Sequence, residues 1–416
     1  METIKKVCVF MLATTMLASV QAGAAEPTTE PAAEATSMID AVTGGKLLLY
    51  LRPRWEHVEQ DGKPENADAY TMRTLLGWQT KPWYGLSATI EGINVGHLGD
   101  QHYNPNPAAS SRYPTVADPD VTDVNQLFVD YAGVRDTLVR AGRQSIKLDN
   151  VRFIGNVDFR QVMQVFNAVT VENTSLPNTR IYGGYLIRQR TTLGTQRDIN
   201  EPLANVRWTW KPGNTLVGYG YFQDQANTGQ VTGFTDNSNR ILGARADGGY
   251  PLAKDWKLLY TAEYADQRSY SGGDPRINAS YYHVGAGPQW RDFYVRVDQE
   301  KLGSNDGQYA FQTPLGTNHL FQGWADQFLT TPAQGLRDTY LIAGAKAWKL
   351  GLYTELHRFR ADSGSIDFGR EWDAGVTWPI MRQLTAKLEY ADYQAGDAAS
   401  GKTDLRKIWL TLIYQY

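Results

Sequence analysis

Apolar and polar residues alternate along most of this chain, and the last eight residues, Trp409-Leu410-Thr411-Leu412-Ile413-Tyr414-Gln415-Tyr416, show the pattern in its simplest form. Read with a period of two, Ile408, Leu410, Leu412, Tyr414 and Tyr416 fall on one face, and Lys407, Trp409, Thr411, Ile413 and Gln415 on the other. Comparable segments of about ten residues recur from Lys46 onward, and about 18 can be counted. They begin near Lys46, Ala69, Trp83, Val124, Asp136, Val165, Asn178, Ala204, Asn214, Asn239, Asp255, Ala279, Arg291, Asp338, Gly351, Arg370, Gln383 and Leu405. The breaks between them alternate in length. Short turns fall at 81–82, 133–136, 174–178, 211–214, 251–255, 290–292, 348–350 and 379–383, whereas 96–123, 148–164, 224–238 and 302–337 are long. An even number of alternating strands, tight turns at one end and long loops at the other predict an all-β chain. The expected architecture is a transmembrane antiparallel β-barrel over residues 46–416, with short periplasmic turns and long extracellular loops.

Two features fix which face meets lipid. Trp78, Trp83, Tyr84, Tyr131, Trp208, Trp210, Tyr250, Trp256, Trp290, Trp348 and Trp378 sit beside the short turns, as an interfacial aromatic girdle requires. In a soluble sandwich the same tryptophans would be core residues, but that reading does not account for their position at turns. The charges settle the other face. In 205–211, Val206, Trp208 and Trp210 alternate with Asn205, Arg207, Thr209 and Lys211; in 292–300, Phe293, Val295 and Val297 alternate with Tyr294, Arg296, Asp298 and Glu300. An Arg or Lys at the bilayer midplane costs roughly 2–4 kcal/mol, so the polar set is placed in the lumen and the interior is expected to be wet and charged. Pro53 lacks a ladder donor in the middle of the first strand, and a bulge is expected there.

The amino terminus supplies an address. Lys5 and Lys6 precede an apolar run from Val7 to Val20, followed by small residues through Ala24, the layout of a secretory signal peptide over residues 1–24. The run is too short for a retained membrane helix. Cys8, the single cysteine, leaves with it, so a mature disulfide, a Cys-based zinc site and a thiol nucleophile are excluded. Residues 26–37 are rich in Ala, Pro, Thr and Glu, and 25–45 is read as a flexible periplasmic leader. No second apolar stretch reaches the roughly 20 residues of a spanning helix, and the mean hydropathy of -0.44 suits strands whose alternate residues are polar. With a net charge of -3, bulk electrostatics gives no reason to expect nucleic acid.

Residues 142–161 bring a resemblance into view. Gly142-Arg143-Gln144-Ser145-Ile146-Lys147-Leu148-Asp149-Asn150, continuing through Arg152-Phe153-Ile154-Gly155-Asn156-Val157 to Arg160-Gln161, is similar to the alginate export family of outer-membrane porins. So are Ala69-Tyr70-Thr71-Met72-Arg73, Val116-Ala117-Asp118-Pro119-Asp120 leading to Val124-Asn125-Gln126, and Gly323-Trp324-Ala325-Asp326-Gln327-Phe328-Leu329-Thr330-Thr331-Pro332. The resemblance implies 18 strands, one passive pore per chain and passage of a polar or anionic solute such as an acidic oligosaccharide or polysaccharide of the alginate type. The alternative is a general porin for small hydrophilic solutes. Either implies the cell outer membrane as location, with its lipid and the barrel-assembly machinery as partners.

Strand parity nominates pore-lining residues. Arg52, Arg54, Arg73, Arg188, Arg207, Arg245, Arg296 and Lys387 interleave with Glu91, Asp130, Asp247, Glu263, Asp298, Glu355, Asp373 and Glu389. Such a lumen is mixed in sign; many of these charges would pair across strands and stiffen the wall, leaving selectivity to the remainder. Tyr50, Tyr182, Tyr294 and Tyr353 offer aromatic faces beside Arg52, Arg188 and Arg296. The loop 148–164 is the candidate constriction: Arg152 and Arg160, near Lys147, outweigh Asp149 and Asp158, and Phe153, Ile154, Val157 and Phe159 would resist exposure to water. Packing of those residues on the rim is the competing account. The loop 302–337, with Phe311, Leu315, Leu320, Phe321, Trp324 and Phe328, is a second lid or plug, expected to carry a short helix over the mouth.

Other chemistries find less in the chain. Neither a Gly-x-Ser-x-Gly elbow nor a His-Glu-x-x-His pair occurs, so a barrel-embedded hydrolase is a distant third and an enzyme is not expected. Glu355 and His357 share one face of a strand, which reads as a paired lumen histidine ahead of an acid-base dyad. Asp118, Asp120 and Asp123 crowd one loop, but Asp123 stands where a calcium-binding EF-hand needs its Gly and Val129 where it needs its Glu. No cofactor or metal is called for by these motifs.

Overall fold

The structure, a computed structural model, describes residues 34–224 and 233–416. The expected signal peptide lies outside these residues, as does part of the loop 224–238. The first half of the wall comprises β1 (Lys46–Gln60), β2 (Ala67–Gln79), β3 (Leu86–His97), β4 (Val121–Val134), β5 (Thr137–Gln144), β6 (Val165–Asn173), β7 (Thr179–Arg190), β8 (Gln196–Lys211) and β9 (Asn214–Gln223). The wall continues through β10 (Asn239–Ala253), β11 (Trp256–Ser269), β12 (Asn278–Trp290) and β13 (Phe293–Leu302). Two short strands, β14 (Ser304–Asn305) and β15 (Tyr309–Ala310), form a separate hairpin inside a loop. The wall then resumes with β16 (Leu336–Ala347), β17 (Leu350–Arg360), β18 (Asp367–Met381), β19 (Leu384–Ala395) and β20 (Leu405–Gln415).

The wall is one antiparallel sheet of 18 strands, and pairing of β1 with β20 closes it. Closure removes the free edges that would leave unpaired backbone groups in lipid. Tyr416 extends the seam, its N–H donating to Leu49 O at 2.9 Å. Seventeen sequence-expected starts fall close to the observed ones; β8 starts earlier, at Gln196, because its polar first residues carry the strand beyond the apolar band. The bulge expected at Pro53 is absent. Arg52↔Arg73, Pro53↔Met72 and Arg54↔Thr71 keep one register with β2, and the β20 register is the same on either side of Pro53. Pairing with β20 lapses only at Arg52 and Pro53, so the ladder omits a bond without gaining a residue.

Outer faces carry the apolar half of each alternation: Leu76, Ile90, Val206, Val297, Leu341 and Leu410 are exposed. Trp208, Trp210, Tyr250, Trp256, Trp290 and Trp378 form the outward girdle beside the short turns. Asn178 and Asp255 occupy the left-handed conformation in two of those turns, with φ of 54° and 66°, where a short polar side chain is best tolerated. The segment expected to be a flexible leader contains a helix, α1 (Met38–Thr43), capped by Ser37. It is fastened to the turn after β2: Lys81 N–H donates to Ala41 O at 3.0 Å, and Trp78 Nε1 to Val42 O at 2.9 Å.

The interior differs from a uniformly wet lumen. Loops 98–120, 145–164 and 303–335 fold into the bore, where Phe153, Phe311, Leu315, Trp324 and Phe328 join Tyr219, Tyr221, Tyr281, Phe359, Tyr393 and Trp409 in one buried cluster. Aromatic residues on inner strand faces thus have partners from the loops, which explains apolar side chains where a water-filled bore would want polar ones. The helix expected over the mouth is a single 3-10 turn at Asn318–Leu320, and it lies inside the bore, with His319 buried against Phe159 and Trp409.

Candidate functional site

Inward parity puts Arg52 and Arg54 side by side on β1 and Arg73 opposite Arg52 on β2. Three guanidiniums in one patch repel, and the loop 145–164 supplies the counter-charge. Arg52 donates to Asp158 O at 2.7 Å, Arg160 O at 2.6 Å and Gln161 Oε1 at 3.0 Å. Arg73 pairs with Asp158 at 2.8 Å, and Arg54 donates to Phe159 O while its guanidinium lies 4.4 Å from the Phe159 ring centroid. Burial alone would raise the Asp158 carboxyl, but Arg73 and Arg52 outweigh it and hold its pKa at about 2. Asp118, from the loop 98–120, lies 3.7 Å from Arg54 and accepts from Gln161 N–H at 2.7 Å.

Asp326 ties the second inward loop to the first. It meets Arg160 at 2.6 Å, His319 at 2.8 Å and Lys407 of β20 at 3.0 Å, all nearly dry. Burial opposes ionisation of Asp326, but Lys407, His319 and Arg160 together keep its carboxyl far below the usual range. For His319 the balance runs the other way, and burial lowers its pKa despite Asp326. Arg160 also reaches Glu56 at 3.4 Å. Between the loops, Gly155 N–H donates to Leu315 O at 2.8 Å and Thr317 N–H to Val151 O at 2.9 Å. Arg152 crosses to the far wall, pairing with Glu300 at 2.7 Å and donating to Gln322 at 3.0 Å.

The geometry assigns the sequence-nominated residues to distinct places. Arg52, Arg54, Arg73, Arg152 and Arg160 fasten the loops instead of standing open in a channel. Arg296 pairs with Asp298 at 2.6 Å, and Asp298 also holds His283 at 2.8 Å. Glu355 and His357 meet at 3.1 Å. Glu91 accepts from Asn125 at 2.6 Å. A row of pairs runs around the inner wall: Arg140 with Asp130 and Arg180 with Glu172, both at 2.6 Å, Arg207 with Asp149 at 2.9 Å, and Arg245 with Asp247 and Glu263 at 2.8 Å. Lys387 and Glu389 lie 3.8 Å apart.

Arg188 is placed differently from its sequence-based assignment. The β7–β8 register shifts between Leu186 and Arg188, so parity inverts and Arg188 is exposed, pairing with Asp198 at 2.6 Å. Arg190, two residues on, is the buried arginine, donating to Asn125 at 2.6 Å. The three carboxylates of 118–123 diverge as well: Asp118 faces Arg54, Asp120 faces His97, and Asp123 faces Arg143 and Arg190. They form no common cation site. Of the aromatic candidates, Tyr50 lies under Arg73, Tyr182 under Arg180, Tyr294 is half-buried and Tyr353 donates to Glu389 at 2.9 Å.

Several residues of this interior were not singled out by sequence reasoning. Glu56, Asp338 and Glu371 share the inward parity of nominated neighbours and were open to detection by it. Gln161 and Asp326 lie in loops, where no period marks them, and Asp118, weighed in the sequence only as one of three crowded carboxylates, is in the fold a partner of Arg54.

A family model described as alginate export matches residues 72–298. Comparison with curated proteins gives no match. Among solved structures, the fold resembles Pseudomonas aeruginosa OccK9 (OpdG), with TM-score 0.71 and 13% identity over 90% of this chain and 99% of that one. P. aeruginosa OpdK with vanillate gives 0.69 at 12% identity, also over 90% and 99%. P. aeruginosa OpdL gives 0.68 at 14% with the same coverage. At these identities the likeness concerns the fold.

Proposed function

The chain belongs to the alginate export family and is an outer-membrane channel for polar solutes, and on that premise we propose that it passes acidic oligosaccharides or polysaccharides of the alginate type. The observation that carries this reading is the inner row of Arg140, Arg180 and Arg207, whose side chains remain 27%, 30% and 32% exposed although each is paired. A uronate carboxylate passing along the wall exchanges with Asp130, Glu172 or Asp149 for these guanidiniums. Because a resident carboxylate takes back each arginine as the solute moves on, attraction does not become trapping. Tyr182 beside Arg180 adds an aromatic face for a sugar ring. Asp149 belongs to the inward loop, so exchange at Arg207 also loosens that loop from the wall.

A general porin for small hydrophilic solutes is the second reading, and the pairing of these charges favours it, since paired walls of mixed sign discriminate weakly. The vanillate of the OpdK complex is a small carboxylate, which lends the anionic reading support by analogy of fold alone. A hydrolase acting on lipid would need its polar cluster open to the lipid face, whereas the clusters described above face inward.

The test is single-channel recording of the purified protein in a planar bilayer with uronate oligomers and neutral oligomers of equal length. Uronates are expected to block the current and the reversal potential to lie on the anion side. Arg140→Gln and Arg207→Gln should each weaken the block severalfold. If uronates act no differently from neutral oligomers, the alginate-type reading gives way to the general porin.

A further inference from the structure

We propose that Glu355, His357 and Asp373 form a binding site for a divalent metal ion of the zinc class, which pins the inward 303–335 loop to the wall at β17 and β18. The three side chains lie on facing inward positions, since Glu355 pairs with Asp373 across the strands and His357 with Glu371. His357 Nε2 is 3.1 Å from Glu355 Oε2 and 3.6 Å from Asp373 Oδ2, and the three donor atoms lie within 4.8 Å of one another. Four-coordinate zinc with bonds of about 2.0–2.2 Å spaces its donors roughly 3.3–3.6 Å apart, so the set closes on an ion with small side-chain movements.

Two further observations point to a ligand. First, Asp338 lies 2.8 Å from His357 Nδ1; a carboxylate only accepts, so a hydrogen sits on Nδ1, and Nε2, which meets Glu355 at 3.1 Å in the same way, is the nitrogen from which an entering ion displaces the second hydrogen. This carboxylate–imidazole arrangement is the one that orients and strengthens metal-binding histidines. Second, Asp373 is fully buried, yet its Oδ1 has no donor, and Oε2 of the buried Glu371 beside it has none either. Four carboxylates face one imidazole here, an excess of negative charge that a divalent ion relieves. A proton shared by Glu371 and Asp373 is the competing occupant. The donors are hard and borderline with no thiolate, which suits zinc or a similar first-row ion.

The site would act on the loop because its ligand Asp373, with Glu371 beside it, already holds the loop. Trp324 N–H approaches Asp373 Oδ2 at 3.4 Å and Ala325 N–H donates to Glu371 Oε1 at 2.6 Å. Glu355, 21% exposed, is the side open to the bore and provides the path of entry.

The experiment uses the mature protein in detergent, stripped with a chelator, then titrated with Zn²⁺ by equilibrium dialysis and with Co²⁺ by its visible d–d bands. The expected result is one equivalent per chain, with affinity lowered at least tenfold in Glu355→Gln and in Asp373→Asn, and by roughly 10–100-fold in Asp338→Asn. Heat-modifiable migration reports whether each variant folds. Asp373 is enclosed, so if its variant fails to fold, the decision rests on Glu355→Gln, whose side chain reaches the bore. Absence of a Zn²⁺ equivalent in the wild type overturns the proposal in favour of the shared proton. Wild-type affinity in folded Glu355→Gln overturns it too.

Discussion

Asp326→Asn tests whether the inward loops are held by buried charge. The substitution keeps shape and removes the carboxylate that meets Arg160, His319 and Lys407. Asp326 and Lys407 are almost completely buried, so little water replaces the lost partner, and breaking a buried pair from one side costs about 3–5 kcal/mol. At about 1.4 kcal/mol per tenfold, the ratio of docked to undocked loop falls roughly a hundred- to several-thousand-fold. The barrel itself is spared, because the β19–β20 and β20–β1 ladders are backbone pairs. In single-channel recordings the variant should show higher mean conductance with open–closed flicker, while heat-modifiable migration stays that of the wild type. The effect should persist at high salt, since screening scarcely reaches a dry pair. Arg406→Gln is the control: its partner Glu59 is exposed, and such a pair contributes about 0–1 kcal/mol, so conductance should not move. An Asp326→Asn channel with wild-type conductance and noise would refute the clamp.

Three further outcomes follow from the same geometry. Deleting Tyr416 removes the hydrogen bond to Leu49 O and the aromatic end of the closing strand; outer-membrane assembly should fall, and wild-type levels of heat-modifiable protein would exclude the terminal residue as a determinant. Asp158 has its pKa lowered to about 2 from 3.8, so its share of loop docking, about 2 kcal/mol, is complete above about pH 4 and lost as pH falls towards 2. Conductance should therefore be flat between about pH 7 and pH 5 and rise below about pH 4, and Asp158→Asn should conduct more at neutral pH with a weaker acid step; a wild-type rise already complete by pH 5 would contradict this. Gly323 has φ +79°, and a Cβ there would lie 2.4 Å from the Glu371 carboxyl, so Gly323→Val should displace the 322–326 turn and raise conductance, whereas an unchanged channel would mean that the turn does not obstruct flow.

Much of the wall was legible because a membrane barrel obeys a local rule. Each residue's face follows from its neighbour's, lipid excludes charge from one face, and tight turns draw on few residues. All eight short turns and the inward set of β20, from Lys407 to Ile413, could be read this way. The rule fails where the backbone breaks step. Between Leu186 and Arg188 one register shift turns Arg188 outward and Gln189 inward, and nothing in the residues themselves marks the shift. Pro53 is the opposite case: its chemistry suggested a break, yet closure held the register on both sides.

The interior was less legible because its contacts are remote in sequence. Parity placed Arg52, Arg54 and Arg73 in the bore and apolar content marked the loops for burial, but their union depends on Asp158, Asp118 and Gln161 arriving from two other segments. A loop has no period, so its carboxylates cannot be assigned to a face before the fold is known. The same reasoning explains why a charge inventory misjudges the pore. Counted along the chain, Arg52, Arg54, Arg73, Arg152 and Arg160 look like a positively charged constriction; in the fold they are buried against loop carbonyls and carboxylates. On the proposed reading the arginines that exchange partners are Arg140, Arg180 and Arg207, paired but partly exposed, which come from strands of ordinary composition. Selectivity in such a bore depends on which pairs stay wet enough to trade an internal carboxylate for a passing one, and that follows from burial, not from the number of charges.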